Sequence, residues 1–226
     1  MRCVVVRHVM YEDLGVWEAE LVAQGFDLEY LEAGVDDLSP LAEAPFAIVL
    51  GGPIGVGDAH LYPTIGQEIE LLRTRLAADL PTVGVCLGAQ FIAAALDAKV
   101  TSGPLELGWG SVELTDAGRA TALRHVEGAP VLHWHGDRCE LPAGATLLAY
   151  NEATPVQAFS HGSALALQFH AEHDPERIEQ WLIGNLVELT KHGIDIPALR
   201  ERTREVGDEA VMAGIALLRE HLKTVL

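Results

Sequence analysis

Short, wholly apolar runs recur along the chain, each followed by a stretch with helical character. Val4-Val5-Val6, Phe46-Ala47-Ile48-Val49-Leu50 and Thr82-Val83-Gly84-Val85 show no polar alternation, so strands built from them must be covered on both faces. The stretches between them read as helices: Gly15 to Gln24 ended by Gly25, Thr64 to Ala78, and Gly88 to Leu96. Candidate inward positions are Trp17, Leu21 and Val22 on the first, and Leu71, Leu72 and Leu76 on the second. Asp27 to Leu31 reads as a further strand, and the acidic segment Ala33 to Pro45, with Pro40 and Pro45, as largely loop. The expected fold class is α/β: an open, mostly parallel sheet with helices on both faces.

The second half changes character. Ser111 to Leu114, Pro130 to His133, Thr146 to Tyr150, Val156 to Phe159 and Ala164 to Phe169 are strand-like with few helices between them. Some of them are expected to pair antiparallel, at the sheet edge or in a small side sheet. Helix returns at Pro175 to Leu189 and from Pro197 to Leu222. With 226 residues, 49% of them hydrophobic, the chain can bury a sizeable core. A formal net charge of −18 repels phosphate backbones and argues against nucleic-acid binding. No apolar stretch reaches the length needed to span a membrane. Three cysteines, Cys3, Cys86 and Cys139, make no disulfide framework and suggest a reducing compartment. A cytoplasmic protein acting on a small molecule is the expectation.

The strongest chemical signal is Gly84-Val85-Cys86-Leu87-Gly88-Ala89-Gln90. It has the form G-x-C-x-G between a strand and a helix, the setting of a nucleophile elbow. Small residues flank the nucleophile because strand and helix backbones approach closely there. Cys86 would lie at the carboxyl end of a strand and at a helix N-terminus, where a thiolate is favoured. The Leu87 N–H would face an oxyanion formed on an attacked carbonyl. Buried inertness is the common fate of a free cysteine, and it is the reading for Cys3 and Cys139, which lack such surroundings.

A thiol nucleophile needs a base, and the base needs an orienting group. Gln168-Phe169-His170-Ala171-Glu172 supplies both after a strand. Among ten histidines, His170 alone would read as structural; its coincidence with the elbow argues otherwise. His170, Glu172 and His173 are close in sequence, but their spacing matches no zinc pattern, and no metal or cofactor is expected.

Taken in order, Gly51-Gly52-Pro53, the Cys86 elbow, His135-Gly136-Asp137 and Gln168 to Glu172 resemble the class I glutamine amidotransferases. The likeness is greatest to the glutaminase domain of GMP synthase and its stand-alone relatives, and spans roughly residues 40 to 185. The resemblance implies a flavodoxin-like fold over residues 1–190, with 191–226 as a helical extension packed on the domain or at an interface. It implies that Cys86 attacks the glutamine side-chain amide, that His170 relays protons, and that Glu172 orients His170. Ammonia leaves and water hydrolyses a γ-glutamyl thioester. It further implies an oxyanion hole at Gly52 and Leu87, and substrate contacts at Gln90, Trp134 and His135, although Trp134 reads equally well as core. Where many family members carry proline after the histidine, this chain has Ala171.

No acceptor domain is recognisable in these 226 residues, so ammonia is expected to pass to a separate synthase. Three alternatives use the same residues differently. A γ-glutamyl peptidase or hydrolase would keep the triad and change the substrate. An α/β-hydrolase would place its acid before its histidine, which is not the order here. A non-enzymatic scaffold would have lost a triad member. The C-terminal stretch carries an amphipathic pattern at Leu199, Val206, Val211, Ile215, Leu218 and Leu222, which suits packing on its own domain or a homodimer.

Overall fold

The computed structural model describes residues 1–226. The first half alternates as expected: β1 (Arg2–Arg7), α1 (Trp17–Ala23), β2 (Asp27–Glu32), β3 (Phe46–Val49), α2 (Pro63–Ala77), β4 (Thr82–Val85) and α3 (Leu87–Ala95). The second half holds β5 (Val100–Gly110), β6 (Glu113–Leu114), α4 (Asp116–Arg119), β7 (Val131–Cys139), β8 (Thr146–Tyr150), β9 (Ala158–His161) and β10 (Ala164–Leu167). Helices α5 (Ile178–Gly184), α6 (Leu186–Lys191) and α7 (Ile196–Val225) complete it.

Eight strands form one sheet in the order β2-β1-β3-β4-β10-β9-β8-β6, and β5 pairs with β7 in a second. Neighbours from β2 to β10 are parallel; β10, β9, β8 and β6 pair antiparallel. The apolar runs explain the layering. Cys3 and Val5 of β1 enter one core with Trp17, Leu21, Leu217 and Leu218, while Val4 and Val6 enter the opposite core with Leu72, Leu76, Phe91 and Ile92. A strand with no polar face thus finds a helix layer on each side. No helix is long and apolar enough to cross a membrane.

Three local expectations are corrected, and one strand is added. Val22 is 58% exposed; it follows Leu21 by about 100° of helical rotation, which carries it out of the Trp17–Leu21 stripe. Leu71 is only half-buried, and Leu72 and Leu76 take the inward face. The strand β5 has no strong sequence signal, because Gly103, Pro104 and Gly108 interrupt it; pairing with β7 creates it, with a register shift between Ser102 and Glu106. The single helix expected over Pro175 to Leu189 is instead a 3₁₀ turn (Pro175–Arg177), α5 and α6. The break falls at Gly184 and Asn185, where Tyr11 packs so closely that a Cβ on Gly184 would lie 2.5 Å from its ring.

Helix α7 lies against the segment that carries His170 and Glu172. The Trp17 indole N–H donates to the Gly214 carbonyl at 3.0 Å, and a Cβ on Gly214 would lie 2.0 Å from the Ala171 carbonyl oxygen. Leu217, Leu218 and Leu222 of the same helix are buried. Gly214→Ala is therefore expected to push α7 off this segment and destabilise the protein by about 1–3 kcal/mol, read from the urea midpoint at constant m-value.

Candidate active site

The chain order 2-1-3-4 of the parallel strands reverses direction between β1 and β3, which opens a crevice at their carboxyl ends. The loop after β1 (His8 to Glu12), the turn after β3 (Gly51 to Gly55) and Cys86 after β4 all project there. They line a cavity of about 240 Å³ together with Leu87, Gln90, Trp134, His135 and Asp137. Asn185 and Glu188 close one side.

Cys86 has φ 50° and ψ −104°, a left-handed conformation costly for a residue with a side chain. Packing enforces it. A Cβ on Gly84 would lie 2.6 Å from the Gly88 backbone, and one on Gly88 would lie 2.0 Å from the Val49 carbonyl oxygen. The Cys86 N–H is tied to the Leu167 carbonyl at 2.7 Å. The thiol is buried, with Sγ 3.7 Å from the Trp134 carbonyl oxygen.

Glu172 Oε1 accepts from His170 Nδ1 at 2.7 Å, with both side chains buried. Their backbones are anchored independently: the His170 N–H donates to the Leu132 carbonyl at 2.8 Å, and the Val16 N–H to the Glu172 carbonyl at 2.9 Å. Bonded this way, Nδ1 carries the proton and Nε2 is left for chemistry; no group hydrogen-bonds Nε2. Burial by itself would depress His170, but Glu172 and Cys86 outweigh it and raise the imidazole well above 6.5. Burial pushes the Cys86 thiol up, and His170 opposes it. Cys86 and His170 are thus close enough to shift each other's titration.

The Gly51-Gly52-Pro53 turn is more than a chain reversal. His8 donates from Nδ1 to the Gly51 carbonyl at 2.9 Å and from Nε2 to Glu68 at 3.0 Å. Two acceptors require two protons, so His8 is an imidazolium. Burial opposes that charge, and Glu68 with the Gly51 carbonyl overcomes it, raising His8. With the Gly51 carbonyl held by His8 in a trans peptide, the Gly52 N–H points away from His8. Gly52 itself has no room for a Cβ, which would lie 2.8 Å from His8 Cβ.

Gln90 lines the cavity while its amide donates to the Asp137 carbonyl at 3.3 Å and to Gln168 at 3.2 Å. His135 is fixed by Nδ1 donating to the Asp137 carbonyl at 3.1 Å, and burial lowers it to about 4. The Trp134 side chain packs edge-on against Trp181 with ring centroids 5.5 Å apart. Its backbone, rather than its ring, meets the thiol. His173 lies beside Trp181, outside the cavity lining.

Four polar lining groups carry no signal in the sequence: Glu12, Asp58, Asn185 and Glu188. Glu12 follows the end of β1 by five residues, so the rule that ligands gather at strand carboxyl ends could have found it. A Cβ on Gly51 would lie 2.1 Å from Glu12 Oε2 and 3.0 Å from His170 Cε1, so the three converge. Burial raises the Glu12 carboxyl to about 7, against the pull of His170.

The class-I glutamine amidotransferase family model matches residues 18–189. The chain belongs to this family. Its members are glutaminase-type enzymes. This amidotransferase is 29% identical over 188 residues to the glutamine amidotransferase-like protein YfeJ of Salmonella typhimurium, covering 79% of each chain. It is 30% identical over 230 residues to the GMP synthase of Bifidobacterium longum, covering 92% of this chain and 41% of that one. Among solved structures, a glutamine amidotransferase of Thermotoga maritima superposes with a TM-score of 0.87 at 33% identity, over 99% of this chain and 97% of that one.

The Glu12 charge raises the Cys86 thiol. Replacing it with a neutral amide, Glu12→Gln, is therefore expected to move the thiol's apparent pKa down. The pH dependence of iodoacetamide alkylation measures this. An unmoved curve would show that Glu12 does not act on the thiol.

Proposed function

We propose that this amidotransferase hydrolyses the side-chain amide of glutamine through a γ-glutamyl thioester on Cys86 and passes ammonia to a separate synthase. The observation that carries the reading is the strained, buried Cys86, which lines the pocket and is influenced by the buried imidazole of His170, whose Nδ1 is held by Glu172.

The Cys86 sulfur attacks the amide carbon as its proton passes to His170 Nε2, and the carbonyl oxygen becomes an oxyanion. The N–H groups of Gly52 and Leu87 receive that charge: one is aimed away from His8, and the other belongs to the first turn of α3, whose N–H groups have no intrahelical partner. His170 returns the proton to nitrogen, the C–N bond breaks, and ammonia leaves a thioester. Water then attacks the thioester with His170 as base, releasing glutamate and the thiol. Glu172 keeps Nε2 the working nitrogen throughout and stabilises the imidazolium when it forms.

Four carboxylates, Glu12, Asp58, Asp137 and Glu188, line the pocket with no lysine or arginine. This suits a substrate with an ammonium group. Glutamine has one at its α-carbon; its α-carboxylate would then rely on amide donors rather than a cation. In this reading Gln90, His135 and Trp134, which line the same pocket, contact the substrate. The GMP synthase relatives are longer chains that join glutamine hydrolysis to synthesis, and the same transfer to a separate chain is the role assigned here.

Ammonia release from glutamine by the purified protein tests the reading, with Cys86→Ala as the control. Cys86-dependent release is expected, together with a covalent γ-glutamyl adduct on Cys86 after acid quench. No release in the presence or absence of candidate synthases, with γ-glutamyl peptides cleaved instead, would move the activity to peptide substrates. The His8 clamp makes a second prediction. His8→Ala frees the Gly51–Gly52 peptide to rotate and is expected to lower kcat by about 10²-fold while KM changes little.

A further inference from the structure

Behind the pocket wall lies a polar cluster of which only His135 reaches the pocket. Alternation along β7 puts His133 and His135 on one face. The β5–β7 register sets Glu106 opposite His135 and Gly108 opposite His133. One ligand atom from each of Glu106, His133 and His135 lies within 4.8 Å of the other two. Both imidazoles are more than nine-tenths buried.

The hydrogen bonding of this cluster does not close. His135 Nδ1 must carry a proton, because it faces the Asp137 carbonyl. In the neutral ring Nε2 then presents a lone pair, and it faces Glu106 Oε2 at 3.4 Å. Two acceptors confront each other. Neither nitrogen of His133 has a partner, although Nδ1 lies 4.0 Å from Glu106 Oε1. Buried polar atoms of this kind call for a missing partner. An imidazolium at His135 would satisfy one contact, at the cost of burying a charged ring, and would leave His133 orphaned.

Glu106 meanwhile is held as a metal-bound carboxylate is held. Asn151 Nδ2 donates to Oε1 at 2.6 Å, Gln157 Nε2 to Oε2 at 3.0 Å, and Thr154 Oγ1 also donates to Oε2. The carboxylate is thereby oriented towards the two imidazoles.

We propose that Glu106, His133 and His135 bind a divalent transition-metal ion, zinc being the best match to two imidazoles and one carboxylate. A cation between the facing acceptors resolves the confrontation of His135 Nε2 with Glu106 and gives one nitrogen of His133 a partner. Tetrahedral bonding at 2.0–2.1 Å brings ligand atoms to about 3.4 Å apart, so the His133 ring closes in on binding. The ion would fasten β5 and β7 to the corner carrying Asn151, Thr154 and Gln157. That clamp fixes the strand that presents His135 to the pocket and the Trp134 carbonyl to the thiol. Its role is to hold the wall; it supplies no chemistry to the amide.

Metal content tests the assignment. The untagged protein is exposed to zinc, dialysed free of loose metal and analysed by mass spectrometry of the elements. One zinc per chain is expected, and Cys86→Ala should keep it, because the thiol is not a ligand. Cobalt substitution should give tetrahedral d–d bands with no thiolate charge-transfer band. His133→Ala should weaken zinc affinity by more than about 100-fold, and Gln157→Ala, which removes an outer donor to Glu106, by about 10-fold. Circular dichroism of each variant separates metal loss from unfolding. Wild-type protein that retains no zinc and shows no cobalt bands overturns the proposal, whatever the variants do. So does a thiolate band that disappears in Cys86→Ala, which would place the ion on the nucleophile.

Discussion

The close approach of α3 to β3 and β4 is the constraint on which the site depends. Gly84 and Gly88 let the helix backbone come down onto the strands, and Val49 fills the space that a Cβ on Gly88 would need. The chain can make the turn in so little room only by taking Cys86 to φ 50°. The strain is local, and the burial of Leu87, Phe91 and Ile92 beneath the helix offsets it. The thiol is consequently held at the mouth of the crevice between β1 and β3, with a helix N-terminus behind it. Every other element of the site is placed relative to that fixed point.

Four buried histidines on this frame acquire different chemistry from their neighbours alone. His8 has two acceptors and is an imidazolium that orients a peptide. His170 has one carboxylate on Nδ1, and its other nitrogen is free. His135 gives its Nδ1 proton to a backbone carbonyl, and burial holds its ring neutral. Beside it, His133 is likewise lowered by burial, against the pull of Glu106. The competition is the same in each case: desolvation disfavours the charged ring, and only a nearby anion reverses it. Glu68 and Glu172 win that competition at His8 and His170, whereas Glu106, shared between two rings and engaged by three other donors, does not.

The long helix α7 shows how far the site extends through the molecule. It lies behind the His170–Glu172 segment, receives the Trp17 indole on its Gly214 carbonyl, and buries Leu217, Leu218 and Leu222 in the core shared with β1 and β3. The backbone bonds from Leu132 and Val16 tie the same segment to β7 and to the start of α1. The relative orientation of thiol and imidazole thus rests on contacts from both ends of the chain.

The sequence by itself determined the parallel half of the fold and the motifs that carry chemistry. Unbroken apolar runs can be satisfied only by a sheet covered on both faces, and a strand–G-x-C-x-G–helix junction leaves a side chain few directions to point. Local patterns of this kind need no partner to be read. What depends on partners distant in the chain was decided by tertiary structure. Only the pairing with β7 makes a strand of a segment containing Gly103, Pro104 and Gly108, and Tyr11, from the far end of the chain, packs onto Gly184 where the expected helix divides. Glu12 beside His170, His8 beneath the glycine turn, and Glu106 opposite two imidazoles meet across dozens of residues or more. A charge's neighbours in space are set by the packing of the whole chain, and periodicity carries no record of them.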